Sequence, residues 1–176
     1  MEVILVRHTS VDVPPGTCYG QTDVPLNPSF PEEAAATRAA IAALGAPDAV
    51  FTSPLSRCVL LAEFCGYPDA VRDARLLEMN FGDWEMRLYD SIVGPEADRW
   101  YEDYINTAVP GGESFMMQYL RVGAFLDELR RQPFRRALIF AHGGVLACAG
   151  IYAGLHTPAD AFTHLTPYGG HLAIQL

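Results

Sequence analysis

Two histidines of this sequence follow short apolar runs that are typical of buried strands. His8 comes directly after Arg7 and the run VILV at 3–6, and His142 follows the run ALIFA at 137–141. Ligands bind where the carboxyl ends of parallel strands meet, so we expect both imidazoles to share one site. A histidine there can act as a nucleophile or as a general acid or base. Either histidine taken alone is also compatible with a structural role.

Glycines and an arginine near these histidines indicate that the site binds an anion. His142 is followed by Gly143 and Gly144, which are expected to begin a helix, and free N–H groups at a helix N-terminus bind phosphate. Arg57 lies in the first turn of another expected helix, where a cation is mildly unfavourable. A phosphate held by its forked guanidinium would compensate for that. The alternatives are a tight turn that needs the glycines and a solvent-exposed arginine.

Alternating strand-like and helix-like segments must position these residues. Strands are expected at 3–6, 49–52 and 137–141, and helices at 32–44, 53–66, 96–107, 114–131 and 143–155. For the second of these helices we expect Ser53 as the N-cap and Pro54 as the first helical residue. The alternation predicts an α/β protein, a three-layer α/β/α sandwich with a largely parallel central sheet.

The composition excludes several classes of function. The chain of 176 residues suits one domain, and 50% of its residues are hydrophobic, enough for a sizeable core. Twelve basic residues, all arginines, face twenty-one acidic ones for a net charge of -9, so neither a nucleic acid polymer nor an anionic membrane is the expected partner. Without lysine, the chain forms no Schiff base and no Walker-type phosphate loop.

No segment is typical of a membrane span or of a secretion signal. The longest uncharged apolar stretch is 143–155, whereas a bilayer takes about 20 such residues. The first residues lead straight into a strand-like run, so the expected location is the cytoplasm. The four cysteines form no CxxC pair and are expected to be free thiols.

Six motifs together resemble those of the histidine phosphatases related to cofactor-dependent phosphoglycerate mutase. They are LVRH at 5–8, YGQTDVPL at 19–26, TSPLSRC at 52–58, LLEMNFGDWE at 76–85, PGGES at 110–114 and AHGGV at 141–145. The resemblance extends over nearly the whole chain. It implies a phosphoglycerate mutase-like fold, with a single domain over 1–176 and a small cap insertion at about 72–113.

The resemblance implies a role for each residue of the anion site. His8 would attack phosphorus and become a phosphohistidine, while Arg7, Arg57 and His142 would surround the phosphoryl oxygens. Neighbouring arginines should keep His8 neutral, as a nucleophile must be. Such a reaction depends on an in-line nucleophile and on dispersed positive charge, so neither a metal ion nor a cofactor is expected.

One carboxylate is implied as the proton donor to the leaving alcohol. By its place in the fourth motif this is Glu78, which would later take a proton from the attacking water. Asp83 and Glu85 are nearby rivals. An exposed carboxylate without a catalytic role is the alternative reading of Glu78.

Two residues next to the nucleophile depart from the family pattern. Thr9 follows His8 where most relatives have glycine, so its backbone must form the turn without glycine's freedom. Pro14 stands where many relatives have an asparagine that contacts phosphate, and proline offers no donor. We expect the hydroxyl of Thr9 or Ser10 to bind phosphate instead.

The loop that carries the motif YGQTDVPL is expected at the mouth of the site. Its residues Tyr19, Gly20 and Gln21 are expected to contact the substrate. Three other histidines match no motif and are expected to be structural: His156, His164 and His171.

Within the family, the short chain and the segment LLEMNFGDWEM most resemble the α-ribazole phosphatases of cobalamin nucleotide-loop assembly. Their substrate is α-ribazole 5′-phosphate or a cobalamin that still carries the 5′-phosphate. Residues 72–104 hold four arginines against nine carboxylates, which disfavours the carboxylate of a phosphoglycerate. Several side chains are expected either to line a slot for a flat base or to pack within the cap: Trp84, Tyr89, Trp100, Tyr101, Tyr104, Met116 and Met117.

The expected partner is therefore a small-molecule phosphate ester, and the protein is expected to be a monomer or a homodimer. Other functions stay open at this point. They are a broad-specificity sugar or metabolite phosphatase, a phosphoglycerate mutase, and an inactive phosphate-binding module that the unusual Thr9 and Pro14 would fit.

Overall fold

A sheet of five strands forms the centre of the molecule. In the computed structural model, which describes residues 1–176, the strands are β1 (Glu2–Arg7), β2 (Ala49–Thr52), β3 (Val71–Arg72), β4 (Arg136–Ala141) and β5 (His171–Gln175). They lie in the order β3-β2-β4-β1-β5, and only β5 runs antiparallel to its neighbour. The strands β1 and β4 are covered on both faces, which is why their sequences are continuous apolar runs.

Helices cover both faces of the sheet, because alternate residues of each strand point to opposite sides. The helices are α1 (Phe30–Ala42), α2 (Ser56–Phe64), α3 (Pro95–Glu102), α4 (Phe115–Leu129) and α5 (Gly143–Tyr152). Ile4 and Val6 of β1 pack against α1 and α2, whereas Val3 and Leu5 pack against α4 and α5. The predicted three-layer α/β/α sandwich is thus confirmed. None of the helices combines the length and the apolar character that crossing a bilayer requires.

Several element boundaries differ from the sequence prediction. The helix α2 begins at Ser56 with Leu55 as its N-cap, so the prediction that Ser53 caps a helix beginning at Pro54 is wrong. The Ser53 hydroxyl is instead paired with the ring of His142. The short edge strands β3 and β5 are not predicted by the sequence. In β5, exposed and buried residues alternate, so no continuous apolar run marks it.

Besides the cores on the two faces of the sheet, a third and smaller core is formed mainly by the chain segment that connects β3 to α4. Trp84 and Trp100 are its largest members and pack edge to face, with ring centroids 5.5 Å apart. Both are almost fully buried, so neither lines a slot for a base, and Met117 is 49% exposed to solvent. The alternative reading of the aromatic residues in this region, packing within the cap, therefore applies to both tryptophans.

Two leucines of α4 should differ greatly in how much they contribute to the free energy of unfolding, because only one of them is buried in the core. Leu126 is fully buried, whereas Leu120 is 62% exposed. We expect Leu126→Ala to lower the free energy of unfolding by about 2–5 kcal/mol, because the change leaves a cavity in a packed core. Leu120→Ala should change it by less than about 0.5 kcal/mol. Urea denaturation measures both, and equal losses would contradict this description of the core.

Candidate active site

The two histidines lie side by side at the carboxyl edge of the sheet. The strands β1 and β4 are parallel neighbours, and their register pairs Arg7 with Ala141. His8 and His142 are the next residues of each strand, so the geometry of the sheet places their ring centroids 5.2 Å apart. The structure thus brings together two residues from opposite ends of the chain.

His8 is held as a neutral imidazole with one nitrogen free. It is only 2% exposed, and its Nδ1 lies 2.7 Å from the carbonyl oxygen of Thr9. Nδ1 must carry the hydrogen in that contact, which leaves the lone pair of Nε2 available for attack. Burial, then the charge of Arg57 and that of Arg7, lower the pKa of His8 to about 3, although the Thr9 hydrogen bond opposes them.

His142 is neutral for similar reasons. It is fully buried, and burial, followed by the charge of Arg57, holds its pKa well below the usual range. Its Nε2 lies 2.7 Å from the Ser53 hydroxyl and 3.5 Å from the Cys58 thiol. These two groups fix the orientation of the ring beside His8.

Two arginines of the site have no carboxylate partner. Arg57 is fully buried, and its guanidinium donates to the backbone carbonyls of Gly20 and Thr22. Arg7 donates to the carbonyl of Thr166 at 2.7 Å. In both arginines the Nε–H is buried without an acceptor, and neither takes part in an ion pair. Buried positive charge without a counterion is destabilising, so the site is suited to bind an anion.

Glu78 faces the same site from the other side. Its Oε1 accepts hydrogen bonds from the Met79 amide at 2.9 Å and from Gln118 Nε2 at 2.8 Å. Its Oε2 accepts from the amide of Gly144, in the first turn of α5, at 3.1 Å. A Cβ on Gly144 would lie 2.3 Å from Glu78 Oε1, so only glycine permits this approach.

The rival carboxylates lie elsewhere. Glu85 accepts hydrogen bonds from the backbone amides of Gly20, Gln21 and Phe81 and from the hydroxyl of Thr22. Burial raises the pKa of Glu85, but these hydrogen bonds outweigh it and the pKa is lowered. Glu85 thus remains ionised and holds the loop that Arg57 also binds. Neither Glu85 nor Asp83 lines the cavity next to His8.

A cavity of about 400 Å³ lies next to these groups, but Arg57 and His142 are fully buried and are not part of its lining. It is lined by Arg7, His8, Glu78, Gln118, Gly143 and Gly144 at its floor. Its remaining walls are mostly apolar or aromatic and include Val11, Pro14, Tyr19, Phe81, Tyr89, Phe162 and Tyr168. The hydroxyls of Tyr19 and Tyr168 are 2.7 Å apart, which joins two loops at one side of the cavity.

The two hydroxyl residues expected to bind phosphate, Thr9 and Ser10, are not part of the cavity lining. The hydroxyl and amide of Ser10 donate to the carboxylate of Glu33 in α1, and Ser10 does not line the cavity. The Thr9 hydroxyl is buried without a partner. The φ angle of Thr9 is not positive, because Met86 is the one non-glycine residue with a positive φ. The backbone at Thr9 therefore does not need the conformational freedom of glycine.

The expected residues of the mouth loop divide between two roles. Tyr19 lines the cavity, but Gly20 and Gln21 do not. The Gly20 carbonyl accepts from Arg57, and the Gln21 side chain donates to the backbone carbonyl of Glu78 at 3.0 Å. These two residues therefore position Arg57 and Glu78 without lining the cavity themselves. The histidines without a motif, His156, His164 and His171, do not line the cavity either.

Three residues of the site are missed by sequence reasoning. Gln118 contacts Glu78, Tyr168 lies 4.0 Å under the guanidinium of Arg7, and Arg121 donates to the backbone carbonyl of Glu78 at 2.9 Å. Gln118 and Arg121 belong to an amphipathic helix, where a polar residue usually faces solvent. Their inward positions depend on tertiary packing. No three histidine, cysteine or carboxylate side chains are grouped as metal ligands.

Comparison with known protein families identifies the chain. Residues 3–173 match the model of the histidine phosphatase superfamily, branch 1. The chain belongs to this superfamily. This membership confirms the resemblance of the six motifs, and it agrees with the phosphoglycerate mutase-like fold.

Relatives within the superfamily carry names of two kinds. The chain is 32% identical over 158 residues to the Escherichia coli O1:K1 protein "Probable phosphoglycerate mutase GpmB", covering 84% of this chain and 72% of that protein. A crystal structure of a phosphoglycerate mutase from Thermus thermophilus has a TM-score of 0.78 and 28% identity, over 99% of this chain and 93% of that one. A structure from Escherichia coli K-12 MG1655, described as a candidate alpha-ribazole-5′-P phosphatase, has a TM-score of 0.86 and 26% identity, over 98% of this chain and 89% of that one.

The buried neutral histidine predicts how stability depends on pH. Unfolded histidine binds a proton below about 6.5, whereas His8 in the folded protein does so only near 3. The unfolded state thus binds more protons between these values, so the free energy of unfolding falls as the pH is lowered through this window. His8→Asn removes this contribution, which amounts to about 1.4 kcal/mol per pH unit.

The difference in unfolding free energy between wild type and His8→Asn should therefore shift by about 1.4 kcal/mol per pH unit between about pH 5.5 and 4.5. Urea denaturation in phosphate-free buffer measures it. The exposed His171 supplies the control variant, His171→Asn, which should give no such change. A constant difference for His8→Asn would show that His8 is not buried in the neutral form.

Proposed function

We propose that this histidine phosphatase hydrolyses phosphate monoesters through a phosphohistidine on His8. The observation that carries the proposal is the combination of a neutral His8 with two arginines that lack carboxylate partners. A phosphate dianion would supply the missing negative charge, and the free Nε2 would be its nucleophile.

In the first step, Nε2 of His8 attacks phosphorus and the ester P–O bond breaks. Arg7, Arg57 and the amide of Gly143, the first residue of α5, stabilise the negative charge of the phosphoryl oxygens. The leaving alcohol takes a proton from Glu78. The Oε2 atom of Glu78 is suited to carry that proton, because it accepts one hydrogen bond, whereas Oε1 accepts two.

In the second step, water attacks the phosphohistidine. The P–N bond breaks, His8 leaves as neutral imidazole, and the Glu78 carboxylate takes a proton from the water. Glu78 is thereby ready to donate again. The low pKa of His8 supports this step, because an imidazole that disfavours a positive charge is a good leaving group from phosphorus.

The walls of the cavity support a substrate whose organic part is flat and uncharged. Apart from Arg7 and Glu78, which serve the phosphate and the leaving group, no charged side chain lines the cavity. Aromatic residues such as Tyr89 and Phe162 offer surfaces for a base. We therefore propose α-ribazole 5′-phosphate as the substrate, which agrees with the name of one structural relative.

A phosphoglycerate mutase reaction is the second candidate, because relatives at 28% and 32% identity carry that name. A phosphoglycerate would place a carboxylate beside its phosphate. The cavity lining holds no cation other than Arg7 for it. The composition of the walls therefore favours the phosphatase.

The choice of substrate is tested by measuring phosphate release from α-ribazole 5′-phosphate and from 3-phosphoglycerate, side by side, with a chelator present. We expect turnover of the first to exceed that of the second by at least about a hundredfold, the discrimination that an unpaired buried charge produces. Equal turnover would indicate a broad-specificity phosphatase. Phosphate binding without turnover of either ester would indicate an inactive binding module.

The catalytic roles are tested with two variants and two leaving groups. His8→Ala should abolish turnover of every ester. Glu78→Gln should slow release of the alcohol from an alkyl phosphate in the first step by about 10²–10⁴-fold, the usual contribution of a general acid, and slow release of nitrophenol far less. Single-turnover kinetics measures this first step separately from hydrolysis of the phosphohistidine, which needs Glu78 with either ester. Glu96→Gln, an exposed carboxylate of α3, is the matched control. Equal losses with both leaving groups would remove Glu78 from the acid role.

A further inference from the structure

Gln118 of α4 is a buried amide in the wall of the active-site cavity. Its side chain is fully buried, and its Nε2 donates to Glu78 Oε1 at 2.8 Å. Its Oε1 is also buried but accepts no hydrogen bond. The proposed reaction so far uses Glu78 but assigns nothing to Gln118.

An unsatisfied buried carbonyl oxygen is destabilising, and in folded proteins such an atom usually pairs with water or a ligand. Here the unpaired oxygen belongs to a residue that lines the cavity and that also contacts the catalytic carboxylate, so both residues supply an acceptor. A molecule that satisfies both must donate two hydrogen bonds. Water has two O–H groups, whereas an alcohol has one.

From this arrangement we infer that Gln118 positions the water that attacks the phosphohistidine. The inference rests on the proposed function and deepens it. The water donates one hydrogen bond to Gln118 Oε1 and the other to the Glu78 carboxylate. Its oxygen then forms the new bond to phosphorus while the P–N bond to His8 breaks, and the proton directed at Glu78 moves onto that carboxylate.

This role explains how the site would favour hydrolysis over transfer to a second alcohol. Water satisfies both Gln118 and Glu78, but an alcohol that donates to Glu78 leaves Gln118 Oε1 unpaired. The difference acts only on the second step, because formation of the phosphohistidine needs no water. Gln118 would thereby bias the site towards a phosphatase rather than a mutase.

The test uses Gln118→Met, which keeps the length of the side chain and removes the amide. Gln132→Met, at an exposed glutamine beyond the end of α4, is the matched control. With nitrophenyl phosphate, whose leaving group needs no acid, rapid-quench kinetics measures formation and hydrolysis of the acid-labile phosphoenzyme separately. We expect hydrolysis to slow at least about tenfold, the effect of one lost hydrogen bond, while formation changes less than about threefold.

A burst of about one nitrophenol per active site should therefore appear in Gln118→Met. Equal slowing of both steps, or no slowing of hydrolysis, would overturn the inference. Gln118→Ala, which removes the same amide, should behave in the same way and serves if the methionine variant does not fold.

A second readout is the partition of the phosphoryl group between water and added glycerol. The fraction transferred to glycerol should rise at least about threefold in Gln118→Met and stay unchanged in Gln132→Met, because only the first variant loses the preference for a double donor. An unchanged fraction in both variants would contradict a role for Gln118 in holding water.

The outcomes separate this inference from the proposed function. If wild-type protein forms no acid-labile phosphoenzyme, or if His8→Ala forms it equally well, the proposed phosphohistidine reaction itself is wrong. If the wild type forms it and Gln118→Met hydrolyses it at the wild-type rate, only the role of Gln118 is wrong.

Discussion

The buried charge of Arg57 is the constraint on which the rest of this site depends. No carboxylate neutralises it, and the guanidinium is held by the carbonyl dipoles of Gly20 and Thr22. Its charge helps to keep both His8 and His142 neutral. The same guanidinium therefore fixes a loop, keeps the imidazole of His8 unprotonated and leaves a positive potential for an anion. A carboxylate partner for Arg57 would stabilise the empty fold but would remove that potential.

The acidic side of the site is built from a different set of elements. Glu78 belongs to an irregular segment, and its position comes from α4 and α5. Arg121 binds its backbone carbonyl, Gln118 binds one carboxylate oxygen, and the amide of Gly144 binds the other. Relatives in the superfamily are named as mutases and as a phosphatase, so membership of the superfamily does not decide between these reactions. The groups around Glu78 are where a preference for water can arise.

Much of the fold is predictable because its inner strands are covered on both faces. The runs VILV and ALIFA are continuously apolar for that reason, and both lie in neighbouring strands. The edge strand β5 is not predicted because its buried and exposed residues alternate and no continuous apolar run marks it. Ser53 is misassigned as a helix cap because a serine before proline has that local preference, whereas the ring of His142 binds its hydroxyl.

The sequence by itself determined the family and the layered fold, and it predicted His8 as the nucleophile beside two arginines, because these depend on local patterns and on motif order. Only the tertiary structure decided that Ser10 points to α1, that Trp84 and Trp100 form a core, and that Gln118 faces Glu78. The physical reason is that each of these contacts joins residues at least 16 positions apart, beyond the reach of a local sequence pattern. The type of a side chain limits which partners it can have, but only the packed fold brings one of them within contact or hydrogen-bond distance.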